Sequence, residues 1–483
     1  MLTGHEPKEA LRFFEEISRI PRRSGNERGI SDYLVAFAEE RGLWVRRDAA
    51  LNVVIKKPGT AGLEKAPAVI VQGHMDMVCE KNEGTVHDFE KDPLKLLVDG
   101  DFLKADGTTL GADNGAAVAM ALALLDARNI PHPPLEVLIT TSEETGVMGA
   151  EQVDGGLFEG KMLLNLDSGE EGFFYASCAG GGDARLTLVP EYRDIPAGFV
   201  ARTLSIRGLK GGHSGVDITK ERGNANRLLG RALRILRVRC GILAVSLKGG
   251  SKENAIPREA DAVIAVGREK EAELAGVVAE VAETFKREYA ASDEGLELTL
   301  AAGPAGVKKA FSGEFLDRVL LILLALPNGV QAMNLAFDDL PETSLNIGVL
   351  AAEGDLLVVS CGIRSSVRSR REMLVDQISV IAEAAGAELA VSGLYPAWEY
   401  RERSVLREKA MRLFSGMFGR EAAMLGTHGG LECGILSGKI EGVDIVSFGP
   451  DIREMHTPSE RMSLSSFART WEFLKKLLVE LAS

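Results

Sequence analysis

The spacing of apolar and polar positions changes along this chain, and each change marks an element. Residues 7–19 carry apolar side chains at helical spacing, and a second helix is predicted over about 25–41, with Ser24 and Glu27 as its capping box. Short runs at 43–48, 51–56 and 67–73 read as strands, the last (A67-P-A-V-I-V-Q) as a buried one leading into His74. The turn-rich stretch 80–109, with its D99-G and D106-G dipeptides, predicts a hairpin. A loop through Asp113 then enters an apolar helix beginning near Asn114. Two further strands follow, L135-E-V-L-I-T-T-S ending in Glu143 and Glu144, and K161-M-L-L-N-L ending in Asp167. Strands alternating with helices predict an α/β domain, a mixed sheet flanked by helices, whose strand ends are where ligands gather.

The pattern changes at C178-A-G-G-G-D, which reads as a glycine hinge. From there to about 391 strands and helices follow one another differently: strands near 202–209, 242–247, 261–266, 344–350 and 356–363, and helices over 223–239, 269–288, 313–326 and 370–385. After P396-A-W the first style returns, with a helix at 404–418, a strand at 442–448 and a last helix at 463–481. The expected organisation is a discontinuous α/β domain, residues 1–183 and 392–483, with an α+β domain of residues 184–391 inserted into it.

Composition narrows the function. A chain of 483 residues exceeds one compact core, and a net charge of −14 argues against nucleic acid or an anionic membrane as partner. The five cysteines show no paired spacing, which suits reduced thiols in a cytoplasmic protein. No apolar leader opens the sequence, and the apolar run from Val319 stops at Pro327, far short of the ~20 residues of a membrane span.

Candidate chemistry concentrates at the strand ends. His74 and Asp76, two positions apart, project to one side of a strand's end, where a carboxylate can fix the ring tautomer of a metal-binding imidazole. Asp113, the pair Glu143 and Glu144, Asp167, and His456 in a late turn complete a set of nitrogen and oxygen donors without sulfur. Such donors suit zinc in a hydrolytic site, with Co2+ or Mn2+ as substitutes. One carboxylate bridging two ions, with one His and one carboxylate completing each, accounts for five ligands. Adjacent glutamates point different ways, so one can ligate while the other serves as general base. In the inserted domain, His213 lies in a glycine-rich loop, and Arg364 ends a β-run where it can grip a carboxylate in bidentate fashion. Asn254 and the T427-H-G-G-L-E loop, with Gly429 and Gly430, are further binding candidates. Each has a plainer reading: Asp113 as a helix cap, Glu143-Glu144 as a solvated turn, His456 as an exposed loop histidine.

His74-Met-Asp76, G111-A-D-N-G, S142-E-E-T-G, N165-L-D-S and His456 together resemble the two-zinc exopeptidase family that includes carnosinase, aminoacylase and peptidase T. L209-K-G-G-H-S-G, N254-A-I-P-R-E-A and L431-E-C-G extend the resemblance over nearly the whole chain, toward the dipeptidase branch that takes aminoacyl-histidine substrates. The resemblance implies a zinc exopeptidase fold with an inserted lid and two Zn2+ per chain. One ion would sit on His74, Asp113 and Asp167, the other on Asp113, Glu144 and His456. Glu143 would be the general base toward a water held between the ions, Asp76 would orient His74, and His213 would hydrogen-bond the developing oxyanion. Arg364, Asn254, Gly429 and Gly430 would bind the ends of the dipeptide. The implied activity is hydrolysis of unblocked dipeptides of broad specificity, Xaa-His included, by a cytoplasmic enzyme. A homodimer is allowed, so His213 can act in its own chain or in a partner's. The alternatives are an N-acyl-amino-acid deacylase or tripeptidase on the same scaffold, or a non-catalytic peptide-binding relative.

Overall fold

The computed structural model describes Leu2 and residues 4–482. The chain divides into two compact units. The first comprises residues 1–178, 400–426 and 431–483; the second comprises residues 179–399 and 427–430.

In the first unit an eight-stranded sheet runs in the order Trp44–Arg47, Val53–Lys57, Leu135–Thr140, Val69–His74, Met162–Asn165, Asp444–Ser447, Phe173–Cys178, Ala423–Thr427. The four middle strands are mutually parallel, so their carboxyl ends reach the same edge. There His74 pairs with Thr140 and Gln72 with Asn165, which sets the segments carrying His74, Glu143 and Asp167 side by side. The strands Val69–His74 and Leu135–Thr140 are buried at every position, as parallel strands covered on both faces must be. The helix Ala112–Asp126 is buried almost all round, and the helix Lys8–Ile17 turns Ala10, Leu11, Phe13, Phe14 and Ile17 inward. The hairpin predicted within 80–109 forms as Leu96–Asp99 and Phe102–Ala105, joined to Arg461–Ser463 in a separate four-stranded sheet.

The second unit holds a nine-stranded sheet in which every adjacent pair is antiparallel. The helices Ala225–Cys240, Glu271–Glu288, Gly313–Ala325 and Arg368–Ala385 share its apolar core. This is the α+β insertion expected from the sequence.

Two expectations need correction, and a third gains detail. The helix over 25–41 forms as Arg28–Glu40, but its N-cap is Glu27 and no side chain caps it. Ser24 and Glu27 are drawn off by stronger acceptors and donors: Ser24 Oγ donates to Asp76, and Glu27 accepts from the backbone and hydroxyl of Ser142. The glycine run near 180, read as a hinge, stands at the boundary between the two units, and its glycines also serve close packing. Gly180–Leu188 is a strand, and a Cβ on Gly181 would stand 2.7 Å from both the Ile363 carbonyl and the Tyr395 hydroxyl, so close packing requires glycine there. Finally, the division falls at 178/179 and 399/400 instead of 183/184 and 391/392. The strand Gly180–Leu188 pairs with Glu388–Tyr395 and takes both segments into the second unit, to which residues 427–430 also belong. Among the described residues no helix is long and apolar enough to cross a membrane.

Candidate metal centre

His74 is the last residue of its strand and 1% exposed. Its Nδ1 lies 3.3 Å from Asp76 Oδ1 and 3.1 Å from the Asp76 carbonyl, acceptors that hold a proton on Nδ1 and leave Nε2 as the nitrogen able to ligate a cation. Nε2 stands 3.2 Å from Asp113 Oδ1 and 3.6 Å from Asp167 Oδ1. On the other side, His456 Nε2 stands 3.2 Å from Asp113 Oδ2 and 3.1 Å from Glu144 Oε2. Asp113 therefore turns one oxygen to each imidazole, and belongs both to a group with His74 and Asp167 and to one with Glu144 and His456. Donor atoms within each group lie within 4.8 Å of one another. A third group, His74 with Glu143 and Glu144, brings in the remaining glutamate.

Local structure explains the convergence. Asp113 stands at the mouth of its helix with non-helical φ −80° and ψ 105°, followed by a cis peptide to Asn114. Asn114 ties two strand ends together, accepting from His74 N–H and donating to the Leu166 carbonyl. A Cβ on Gly73 would fall 2.4 Å from Asn114 Oδ1, so that position must be glycine. Asp76 accepts from the backbone N–H of Glu143 (3.1 Å) and Glu144 (3.3 Å) and from Ser24 Oγ (2.7 Å). One buried carboxylate thus fixes both the His74 ring and the Glu143-Glu144 turn. Arg22, also buried, donates to the carbonyls of Met75, Asp76 and Gly111.

Electrostatics follow from burial and crowding. Burial lifts the Glu143 carboxyl well above its ordinary value, and Asp167, Glu432 and Glu144 add to that. Burial likewise raises Asp167 to about 6, with Asp113 and Glu144 adding. Burial opposes the charged form of His74, yet Asp167, Asp113 and Asp76 outweigh it and raise the imidazole. Hydrogen bonds from Asp113 and Glu144 raise His456 to about 10. Burial would also raise Asp113, but His456 and His74 hold it below the carboxylate range.

This donor set fits two divalent cations. The ligand carboxylates carry more negative charge than the imidazoles balance, and Glu144 Oε1 is buried with no hydrogen-bond partner. An oxygen so placed needs a partner, and a cation in the Asp113–Glu144–His456 group supplies one.

Arg22 falls in no motif quoted above, while Ser24, Asn114 and Glu432 fall in quoted stretches that assign them no role at this site. Glu432, 0% exposed, accepts from Gln72 Nε2 (2.6 Å) and Thr140 Oγ1 (2.7 Å) through one oxygen while the other has no partner. Their partners are distant in sequence, so no local pattern shows what they grip.

The remaining candidates lie in the second unit. Gly212–His213 pairs with Ala255–Ile256, and Ser214 N–H donates to the Asn254 carbonyl, which brings His213 and Asn254 together. Gly215 N–H donates to His213 Nδ1 (3.2 Å), leaving Nε2 as the N–H of the neutral ring. Burial and the Arg364 charge lower this histidine's pKa and favour that neutral form. A Cβ on Gly215 would meet both Arg364 and His213 at 3.1 Å, so the glycine lets these two approach. Arg364 makes only long hydrogen bonds, 3.4 Å to Ser214 Oγ and to Tyr395 OH and 3.3 Å to the His428 carbonyl. Gly429 donates to Thr427 Oγ1, and Gly430 packs on the Tyr395 ring.

Known proteins resemble this chain along its whole length. It is 38% identical over 480 residues to the cytosol non-specific dipeptidase of Escherichia coli strain K12, covering 99% of both chains. The crystal structure of aminoacylhistidine dipeptidase from Vibrio alginolyticus superposes with a TM-score of 0.93 at 38% identity, over 99% of this chain and 98% of that one. The aminopeptidase PepT of Bacillus cereus shares the fold, with a TM-score of 0.57 at 17% identity over 99% of this chain and 100% of that one. Residues 70–480 match the model of peptidase family M20/M25/M40, and the chain is therefore a hydrolase belonging to that family.

Proposed function

We propose that this chain is a dipeptidase that hydrolyses unblocked dipeptides, Xaa-His among them, using two divalent cations, zinc by the chemistry of the donors. The observation that carries the reading is Asp113, whose two oxygens stand 3.2 Å from two different imidazoles, each with its own second carboxylate. His74, Asp113 and Asp167 hold one cation; Asp113, Glu144 and His456 hold the other. The dipeptide substrate is argued from the names of the Escherichia coli and Vibrio relatives, and the Escherichia coli name also supports work in the cytosol.

When bound, the cation pair supplies Lewis acidity at the scissile carbonyl and makes water more acidic. The chain's own groups do the rest. Asp76 keeps His74 in the tautomer that presents Nε2. Glu143 takes the proton of the attacking water and later delivers it to the leaving amine, a task suited to a carboxyl whose proton affinity is raised by burial. His213, neutral with its hydrogen on Nε2, donates to the carbonyl oxygen as that atom gains charge. Arg364 grips the substrate's terminal carboxylate, which its weak present hydrogen bonds leave it free to do. Asn254 and the backbone at Gly429 and Gly430 bind the rest of the dipeptide main chain. The second unit acts as the lid that brings these groups to the substrate.

The test is hydrolysis of a panel of dipeptides, a tripeptide and an N-acetyl amino acid, before and after chelation and with Zn2+, Co2+ or Mn2+ restored. Turnover of the dipeptides that disappears on chelation and returns with metal is expected. Preference for the tripeptide or the N-acetyl amino acid would replace this reading with the corresponding relative, and zinc binding without turnover of anything would leave only peptide binding.

A further inference from the structure

Glu460 belongs to none of the ligand groups, is 2% exposed, and both its oxygens are saturated by backbone. Oε2 accepts from the N–H of Leu110 and of Gly111, each at 2.9 Å, and Oε1 accepts from Ala112 (2.8 Å) and Asp113 (3.3 Å). Four consecutive amides converge on one carboxylate, 347 to 350 residues away in sequence, and the last of them is the amide of Asp113 itself. Arg22 holds the same loop by the Gly111 carbonyl. The other end of the tie is equally short. Glu460 N–H donates to the Thr457 carbonyl, Thr457 Oγ1 donates to the Glu454 carbonyl, and Ser459 N–H donates to Thr457 Oγ1, so 454–460 is a tight turn with His456 in its bend. His456 sits at φ +63°, in the left-handed region that few residues besides glycine, asparagine, aspartate and histidine adopt.

We propose that Glu460 is a positioning residue for the second cation: by clasping the 110–113 backbone from the turn that carries His456, it sets Asp113 and His456 at the separation that cation requires. The inference rests on the two-cation reading above. The first group depends less on the clasp, because His74 and Asp167 follow neighbouring parallel strands whose register is fixed by the sheet. The second joins two loops that the pairing of Arg461–Ser463 with Phe102–Ala105 brings close, and Glu460 is the side chain that ties one directly to the other. Glutamate suits the task because it presents two acceptors and no donor. Glutamine keeps the shape but turns an N–H₂ toward amides, and aspartate is one methylene short.

Titration of metal-free protein with Co2+, followed by its visible absorption, reads the two equivalents separately. For Glu460→Gln the first equivalent is expected to bind within about threefold of the parent protein. The second is expected to bind at least about tenfold more weakly, the scale at which groups supporting a ligand act. Glu460→Asp gives the same reading should the glutamine variant not fold. Two equivalents bound as in the parent, or both weakened alike, would overturn the proposal, since equal weakening makes Glu460 a general support of the fold. A parent protein that takes up a single equivalent would instead overturn the two-cation reading itself.

Discussion

The candidate ligands and the candidate substrate-binding groups are held in opposite ways. In the first unit His74, Asp76, Asp113, Glu144 and Asp167 are buried or nearly so, and each is fixed by its strand, its neighbours or a buried carboxylate that serves two of them at once; His456, half exposed in its turn, is the exception among the ligands. In the second unit His213 is exposed at the end of a two-residue strand, and Arg364 rests on hydrogen bonds of 3.3–3.4 Å. Groups that hold cations gain from being rigid before the ion arrives, because ions tolerate little error in donor position. Groups that meet a substrate must let it enter and leave, and loosely held side chains permit that. The difference separates metal binding from turnover, and substitutions should separate them too.

The largest effect is expected at Glu143, which touches both tasks. Glu143→Ala should lower kcat by about 10²–10⁴-fold, the usual share of a general acid–base group, while retaining both cations by metal analysis. Loss of a cation from this variant would assign the ligand role to Glu143 and the base role to Glu144. At His213 the expected loss is about 10²–10³-fold in kcat, as for one oxyanion donor, with cation content and affinity unchanged. Unaltered kcat in His213→Ala would remove the oxyanion role and leave the second unit only its binding residues.

Asp76→Asn probes the rigid side. The amide can still accept at one oxygen, but its N–H₂ faces either His74 Nδ1 and the Glu143 amide, or the Glu144 amide and Ser24 Oγ, donors that have Asp76 as their acceptor. Cation affinity is expected to fall by about 10–100-fold, measured by competition with a chromophoric chelator, and KM of the fully loaded enzyme should hardly move. A raised KM with intact cation affinity would mean that the two regions are not separable in this way.

How much of this was legible in the sequence follows the range of the interactions. His74 and Asp76 could be paired because alternation along a strand is a property of two neighbouring positions, and the structure puts them 3.3 Å apart. Strand ends likewise marked out Glu143, Glu144 and Asp167, since parallel strands deliver their carboxyl ends to one edge. The capping box at Ser24 and Glu27 failed for the converse reason: its rule is local, and the acceptor that won Ser24 lies 52 residues on, in Asp76. The roles of Arg22, Glu432 and Glu460 could not be read locally, because what they grip lies as many as 360 positions away. The C178-A-G-G-G-D run marks the boundary between the units, as its change of character implies, but its close packing against Ile363 and Tyr395 depends on distant residues and had no local sign.

The smallest effect concerns the polar layer beneath the cluster. Glu432 is raised to about 8, chiefly by burial, with Asp167 and Asp76 adding to it, so the folded protein without cations binds its proton far more tightly than the unfolded chain does. For an acid raised in this way the favourable contribution is fully present below the unfolded value near 4.5 and is lost as pH climbs through the folded value near 8. Glutamine cannot ionise, and its carbonyl oxygen can take the hydrogen bonds from Gln72 and Thr140 while its N–H₂ occupies the place of the unpartnered oxygen. Glu432→Gln should therefore melt a few degrees higher than the parent in chelator at pH 8.5 and no higher at pH 4.5, a gap on the order of a few kcal/mol spread over a large cooperative unit. An equal difference at both pH values would show that the carboxyl stays in one charge state throughout. The rigid cluster would then rest on a permanently ionised Glu432, and the contrast with the loosely held second unit would come from packing alone.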